Sequence, residues 1–274
     1  MIRVELVSLL RSRRTWATIA LVDALPVIVA VLLAVTDLGP RPGTGPAFLS
    51  AVLTDGTLYP LAALAIVLPL FLPIAVAVFA GEAIAGEAQQ GTLRYLLLRP
   101  VGRTHLLIAK LVGVMAFVVL TVLVVAATAY LLGIGLLGHQ SVTASAPGTA
   151  SVSGTSLSTP ELVARTFAAL GYAMLCMLGV ASVALFASTL VRSPLAAAMG
   201  ALALLVGSTL LLTLDAADPL KPYLLTRYWL AFVDLFRDPI LWHDLVRGVL
   251  LQLGYVVVFL GAAWANFATK DISD

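Results

Sequence analysis

Charge is what this sequence has least of. Asp, Glu, Lys and Arg make up 11% of the 274 residues, whereas 61% are apolar; soluble domains carry about 25% charged residues. With a mean hydropathy of +1.06, too little polar surface remains to coat a water-soluble globule. The composition therefore predicts an integral membrane protein. Cysteine is nearly missing as well. The single Cys176 excludes an intrachain disulfide, and inside an apolar run it reads as a small buried or lipid-facing hydrophobe. The three histidines, His105, His139 and His243, stand far apart, and no Cys/His spacing resembles a metal site. Basic residues are scattered rather than gathered on one face, so the formal net charge of +2 offers no footprint for nucleic acid. The G-x-S-x-G and H-E-x-x-H signatures are also missing, and nothing marks the chain as an enzyme.

What is abundant is uninterrupted apolar sequence. A helix needs about 20 mostly apolar residues to cross the hydrocarbon, and six segments qualify: 16–36, 58–80, 106–133, 162–190, 195–214 and 248–268. Their interiors lack the period-2 alternation of barrel strands. The expected fold is all-α and integral to the membrane, a single transmembrane domain of six spans over residues 1–274. Lysine and arginine set the orientation. With the N-terminus in the cytoplasm, ten of the sixteen basic residues fall on the inner side, among them Arg3, Arg11, Arg13, Arg14, Arg94, Arg99, Arg103 and Lys110. An even number of spans then places both termini inside.

Ser12-Arg13-Arg14 before an apolar run resembles a twin-arginine export signal. Asp23 interrupts the run and further spans follow, so the segment reads as an uncleaved first span with a basic inner flank. Ahead of it, Ile2, Leu6, Leu9 and Leu10 recur at helical spacing, with Arg3, Arg11 and Arg14 largely on the other face. That pattern suits a short helix lying on the inner leaflet; a plain positive-inside anchor accounts for it equally well. On the outer side, 37–57 is Pro/Gly-rich and 139–160 is a Ser/Thr/Ala/Gly stretch too polar to fold by itself. The connection 215–247 mixes Tyr223, Tyr228, Trp229, Phe232, Phe236 and Trp242 with charge, as at a membrane–water boundary. One short surface helix is expected there, with Asp234 and Arg237 paired at i, i+3. Within the second span, Pro69 and Pro73 predict a bend. Asp23 is the exceptional charge inside a span, and three roles stand open for it: pairing with an arginine of the same leaflet, protonation, or lining a translocation path.

The stretch "AGEAQQGTLRYLLLRPVGR", residues 85–103, carries most of the charge in the middle of the chain. Gly86, four residues, then Gly91 imitates the start of a phosphate loop. The loop pattern requires Lys and then Ser/Thr after the second glycine, and Thr92 and Leu93 stand there. Instead, Leu93, Leu96 and Leu97 form an apolar i, i+3, i+4 set beside Arg94, and Pro100 ends the run. The pattern predicts a short amphipathic helix between spans two and three, with Gly86 and Gly91 permitting close backbone approach.

The run Gly86-Glu87, Gly91-Thr92-Leu93, Leu97, Arg99-Pro100-Val101 and Arg103, followed by Lys110, resembles the ABC-2 type permeases of ATP-binding cassette transporters. The family pattern is roughly G-E-x-x-x-G-T-L-x-x-L-L-x-x-P-V-x-R with a lysine opening the third span. The specific part is 81–110; the N-terminal helix with Glu5 and the basic cluster, the six spans and the turn "STLVRSPLAAA" are similar in layout. The resemblance implies that the segment after span two is a cytoplasmic coupling helix docking on a separate ATPase subunit through Glu87, Gly91, Thr92, Leu93, Arg94, Leu97 and Arg103. It implies a second contact through the interfacial N-terminal helix, with Glu5, Arg11, Arg13 and Arg14. ATP and magnesium would then sit on the partner, and this chain would bind no cofactor. Two copies, or this chain and a sister permease, would complete a twelve-span unit in a bacterial-type inner membrane, exporting a hydrophobic or amphipathic compound.

Overall fold

The computed structural model describes residues 2–36, 56–91, 102–137, 149–150 and 156–269. Eight helices account for nearly all of it: α1 Ile2–Arg11, α2 Arg13–Val35, α3 Tyr59–Val67, α4 Phe71–Gln89, α5 Arg103–Leu132, α6 Thr159–Leu190, α7 Pro194–Thr213 and α8 Trp242–Thr269. Six are long and apolar enough to cross a membrane: α2, α4, α5 with its extension to Leu137, α6, α7 and α8. The chain is a multi-pass membrane protein. Strand structure among the described residues is one antiparallel pairing, Thr149–Ala150 (β1) with Ser156–Leu157 (β2), inside the 139–160 stretch.

Helix ends follow local chemistry. Ser12 caps α2, its hydroxyl accepting the Thr15 amide at 3.5 Å, and the Trp16 indole donates to Leu10 O at 2.9 Å across the α1–α2 corner. Glu161 accepts from both the amide and the hydroxyl of Ser158 at the start of α6, and Pro194 opens α7 behind Ser193. Gly91 closes α4 with φ +70, a left-handed terminus that suits glycine. A Cβ there would meet nothing within 4 Å. Within this chain the glycine is required by its left-handed conformation rather than by crowding.

The buried centre is α6, which packs against α4, α5, α7 and α8. α2 and α3 lean on α5 from the other side, joined by the Tyr59 hydroxyl donating to Pro26 O. Close contacts define the two ends of the bundle. At one end α1, the C-termini of α4, α6 and α8, and the N-termini of α5 and α7 meet. At the other, Gly133 abuts Gly56 and Tyr59, where an added Cβ would lie 2.0 Å from Gly56 O.

The second span differs from its expected form. Residues 58–80 do not make one helix: the chain breaks at Leu68–Leu70, with Leu70 at φ −139, ψ −61, and α4 then runs on to Gln89. Pro69 and Pro73 each withhold an amide from the ladder, which is the physical reason for the break. Backbone opened inside a membrane must be buried in protein or face a cavity. Here it faces a groove of about 260 Å³ between the α3–α4 junction and α7, lined by Pro69, Leu70, Pro73, Leu205, Thr209 and Trp229.

The 215–247 connection is corrected too. The expected surface helix is a 3₁₀ segment, Trp229–Phe236, and Trp229, Phe232 and Phe236 are buried in the main core. Only Tyr223 and Trp242 of the predicted boundary aromatics stay exposed. Irregular backbone in this cap finds its partners on the helices: Arg165 donates to Leu235 O and Arg237 O, Tyr172 to Tyr228 O at 2.7 Å, and Gln252 to Leu225 O at 2.8 Å. Asp234 and Arg237 do pair, at 2.9 Å.

Candidate functional site

The end of the bundle that carries α1 overshoots the rest. The Thr128 hydroxyl lies 2.7 Å from the Asp23 carboxylate, which puts these residues level. From there α2 has ten residues back to Arg13 and α5 has 25 back to Arg103. At 1.5 Å per residue, α5 reaches about 22 Å beyond the start of α2. The extended α5, 35 residues long, spans about 52 Å, well over the ~30 Å of hydrocarbon.

Lys110 sits in this overshooting part. The residue is 8% exposed, and its ammonium lies between two carboxylates: Glu5 of α1 at 2.7 Å and Glu87 of α4. One cation thus ties three elements together. A lysine this buried is costly unless paired and hydrogen-bonded, and both requirements are met. Gly113, one turn beyond Lys110, lets α1 lie close: a Cβ there would be 3.6 Å from Glu5 Cβ. A cleft of about 440 Å³ opens beside the cluster, lined by Glu5, Ser12, Arg14, Glu82, Glu87 and Lys110 among others.

The last turns of α4 are held from a second side. Ser188 of α6 places its hydroxyl against the α4 backbone, donating to Gly81 O at 2.8 Å and accepting the Ile84 and Ala85 amides at 3.1 and 2.9 Å. A side chain set into the i→i−4 ladder is a recognised cause of local bending. Gly81 packs so tightly on α7 that a Cβ would lie 3.0 Å from the Ala198 amide nitrogen. At the start of α5, the Arg103 guanidinium donates to Phe267 O and Ala268 O at 3.1 and 3.0 Å, capping the C-terminus of α8. Trp264 reaches Thr104 at 3.1 Å, and Asn266 reaches Thr189 O at 3.1 Å.

The structure brings Glu5 and Glu87 together on Lys110, which the sequence reading left unpaired. Gly91 and Arg103 mark the two ends of the 92–101 connection, while Thr92, Leu93, Arg94 and Leu97 lie outside the described residues. Arg11, Arg13 and Arg14 are exposed. On α1 the bundle side carries Glu5, Leu6 and buried Leu9, whereas Ile2 and Leu10 are exposed. Of the expected stripe Ile2, Leu6, Leu9 and Leu10, only Leu6 and Leu9 are covered within this chain. Asp23 is buried and bonded to Thr128; no arginine pairs with it among the described residues.

The family described as protein of unknown function (DUF2705) matches residues 27–273. The chain belongs to that family. The DUF2705 match takes in Glu87, Ser188, Lys110 and Arg103, and Glu5 precedes it. No curated protein matches the chain.

Proposed function

We propose that the chain is the membrane-spanning subunit of an ABC-2 type transporter, driven by a separate ATPase. One observation carries this reading: both ends of the 92–101 segment are anchored. The end of α4 is tied through Glu87–Lys110–Glu5 and through Ser188, and the start of α5 through Arg103 to α8. A force applied at the two ends of that segment is passed directly to five helices, α1, α4, α5, α6 and α8. The G-E and G-T-L motif residues fall at this same place, which fits a coupling helix at 92–101 with α1 as a second contact.

On this reading ATP and magnesium bind the partner, and this chain supplies no catalytic group. The overshooting end is cytoplasmic, with both termini inside an inner membrane of bacterial type. A second copy or a sister permease completes the unit. The apolar groove at the α3–α4 break, with its freed backbone and few polar groups, suits a hydrophobic or amphipathic cargo rather than an ion or sugar. The buried Asp23–Thr128 pair favours one rival, an ion-gradient-driven carrier. Co-expression with a candidate ABC ATPase subunit, followed by purification in detergent, separates the two. The ABC-2 reading expects a complex that hydrolyses ATP and is lost in Leu93→Glu and Arg94→Glu. A chain that recruits no ATPase, but whose transport collapses in Asp23→Asn under an ion gradient, refutes it. A complex that hydrolyses ATP with no cargo stimulation would assign mechanical or signalling work instead.

A further inference from the structure

The two sides of α1 are unlike. Glu5, Leu6 and Leu9, at i, i+1 and i+4, face the bundle: Leu9 is buried, and Glu5 pairs with Lys110 beside Glu87. The opposite side carries Arg3, Val4, Val7 and Arg11 at helical spacing, with Leu10 at its edge. Val4 and Leu10 are more than half exposed. With Ser8 and Ser12, the four outward residues line a shallow depression along the helix.

Charge on this outward side has one sign. The neighbouring carboxylates are turned elsewhere: Glu5 and Glu87 are taken up by Lys110 on the bundle side, and Glu82 lines the α1–α4 cleft together with Arg14. Arg3, Arg11 and Arg13, the residue that opens α2, are exposed. None of these three has an ion pair among the described residues. What covers the apolar part follows from continuity with the membrane. Ser12 alone separates α1 from α2, a membrane-crossing helix. The Trp16 indole, in the first turn of α2, donates to Leu10 O at 2.9 Å, and Trp16 and Leu21 are exposed on the outside of the bundle. The lipid-facing surface of α2 therefore runs through Trp16 onto Leu10 and the outward side of α1. Tryptophan is enriched at the membrane–water boundary. Valines interleaved with arginines suit the same place, because the apolar groups enter the acyl edge while the guanidinium ends reach phosphate oxygens. A zwitterionic surface would leave the arginines uncompensated, whereas an anionic one compensates them.

We propose that the outward face of α1 binds anionic phospholipid headgroups of the adjacent leaflet, with Arg3 and Arg11 on phosphates and Val4, Val7 and Leu10 at the acyl edge. The site requires no ATPase and goes beyond the transport reading. It makes α1 a bridge, held to the bundle through Lys110 on one side and to charged lipid on the other.

The test uses the full chain in nanodiscs of phosphatidylcholine, with and without phosphatidylglycerol. Cys176 is fully buried, so a nitroxide attached through Val7→Cys labels that one position. Its collisions with oxygen, which partitions into the bilayer, are compared with those of a nickel chelate, which stays in water. Oxygen is expected to dominate, and more so with phosphatidylglycerol present. In detergent, native mass spectrometry counts the lipid retained. The parent prefers phosphatidylglycerol over phosphatidylcholine of identical acyl chains, and Arg3→Gln and Arg11→Gln each reduce that preference about fivefold. Added salt erodes it, and Arg237→Gln at the far end leaves it unchanged. Arg3 and Arg11 are exposed, so folding is preserved; the unfolding temperature of each variant is checked alongside. A label that meets the nickel chelate in both lipid mixtures overturns the proposal, as does one shielded from both reagents, the sign of a second copy covering the face. A parent without preference overturns it too, as does a preference that survives the two substitutions combined.

Discussion

Replacing Lys110 by methionine keeps the side chain's length and removes its charge. In the parent the ammonium holds Glu5 and Glu87 together, so their nearest oxygens are no more than about 5 Å apart. Without the cation the two carboxylates repel by about 3 kcal/mol at an effective dielectric near 20. Glu5 is about a third exposed and Glu87 less, so solvent and relaxation reduce the net cost to about 2–3 kcal/mol, below the ~3–5 kcal/mol of a fully buried pair that loses one partner. For a chain of this size that corresponds to about 5–10 °C in unfolding temperature. The assay is built in: the one cysteine, Cys176, is fully buried, so its reaction with a thiol-sensitive dye on heating reports loss of the core. The decisive arm is a sign inversion. Glu5→Gln lowers the melting temperature of the parent, yet raises that of Lys110→Met, because there it removes one of two repelling charges. If Lys110→Met melts with the parent, or if Glu5→Gln is equally harmful in both backgrounds, the three residues are not an energetic unit.

Ser188→Ala leaves the Ile84 and Ala85 amides without their hydroxyl partner, at about 1–3 kcal/mol. Amide exchange at those two positions is expected to accelerate by about tenfold or more, and Ser188→Thr should restore protection. Gly133→Ala drives a Cβ to 2.0 Å from Gly56 O, a backbone atom. It should therefore lower the yield of folded protein, whereas Gly135→Ala, with nothing within 4 Å, should not. Gly91→Ala forces an L side chain into a left-handed conformation at φ +70, costing about 1 kcal/mol. Melting temperature should barely move, while ATPase recruitment falls; unchanged recruitment would detach Gly91 from coupling. Arg103→Gln strips the cap from α8, and proteolysis of the C-terminal turns is the measurement that should rise.

The spans were legible because a run of about twenty apolar residues has few fates other than crossing a bilayer. The bend in the second span was legible from Pro69 and Pro73, but not the fact that it divides one apolar run into two helices. The cap defeated composition. Trp229, Phe232 and Phe236 near charged groups suit a membrane boundary or a core closed by Arg165 equally well, and only their packing under α6 decides. The Lys110 cluster was hidden for another reason: Glu5 and Lys110 are 105 positions apart, and no local pattern says which helix faces which. Asp23 was visibly out of place, but its partner, Thr128, is a residue type too ordinary in a membrane helix to stand out.

The break at Leu68–Leu70 also bears on how the chain enters a bilayer during synthesis. The nine-residue α3 covers about 14 Å, too little to be accepted as a span by itself. What an insertion machinery meets is the whole greasy run 58–80, taken up as one passage in an extended or simply helical form. α2, already in place, offers α3 a first surface through the Tyr59–Pro26 contact, and α5 adds a second when Gly133 brings its bare backbone to Gly56 and Tyr59. The two halves of this passage thus take separate attachments, α3 on α2 and α5, α4 on α6 and α7.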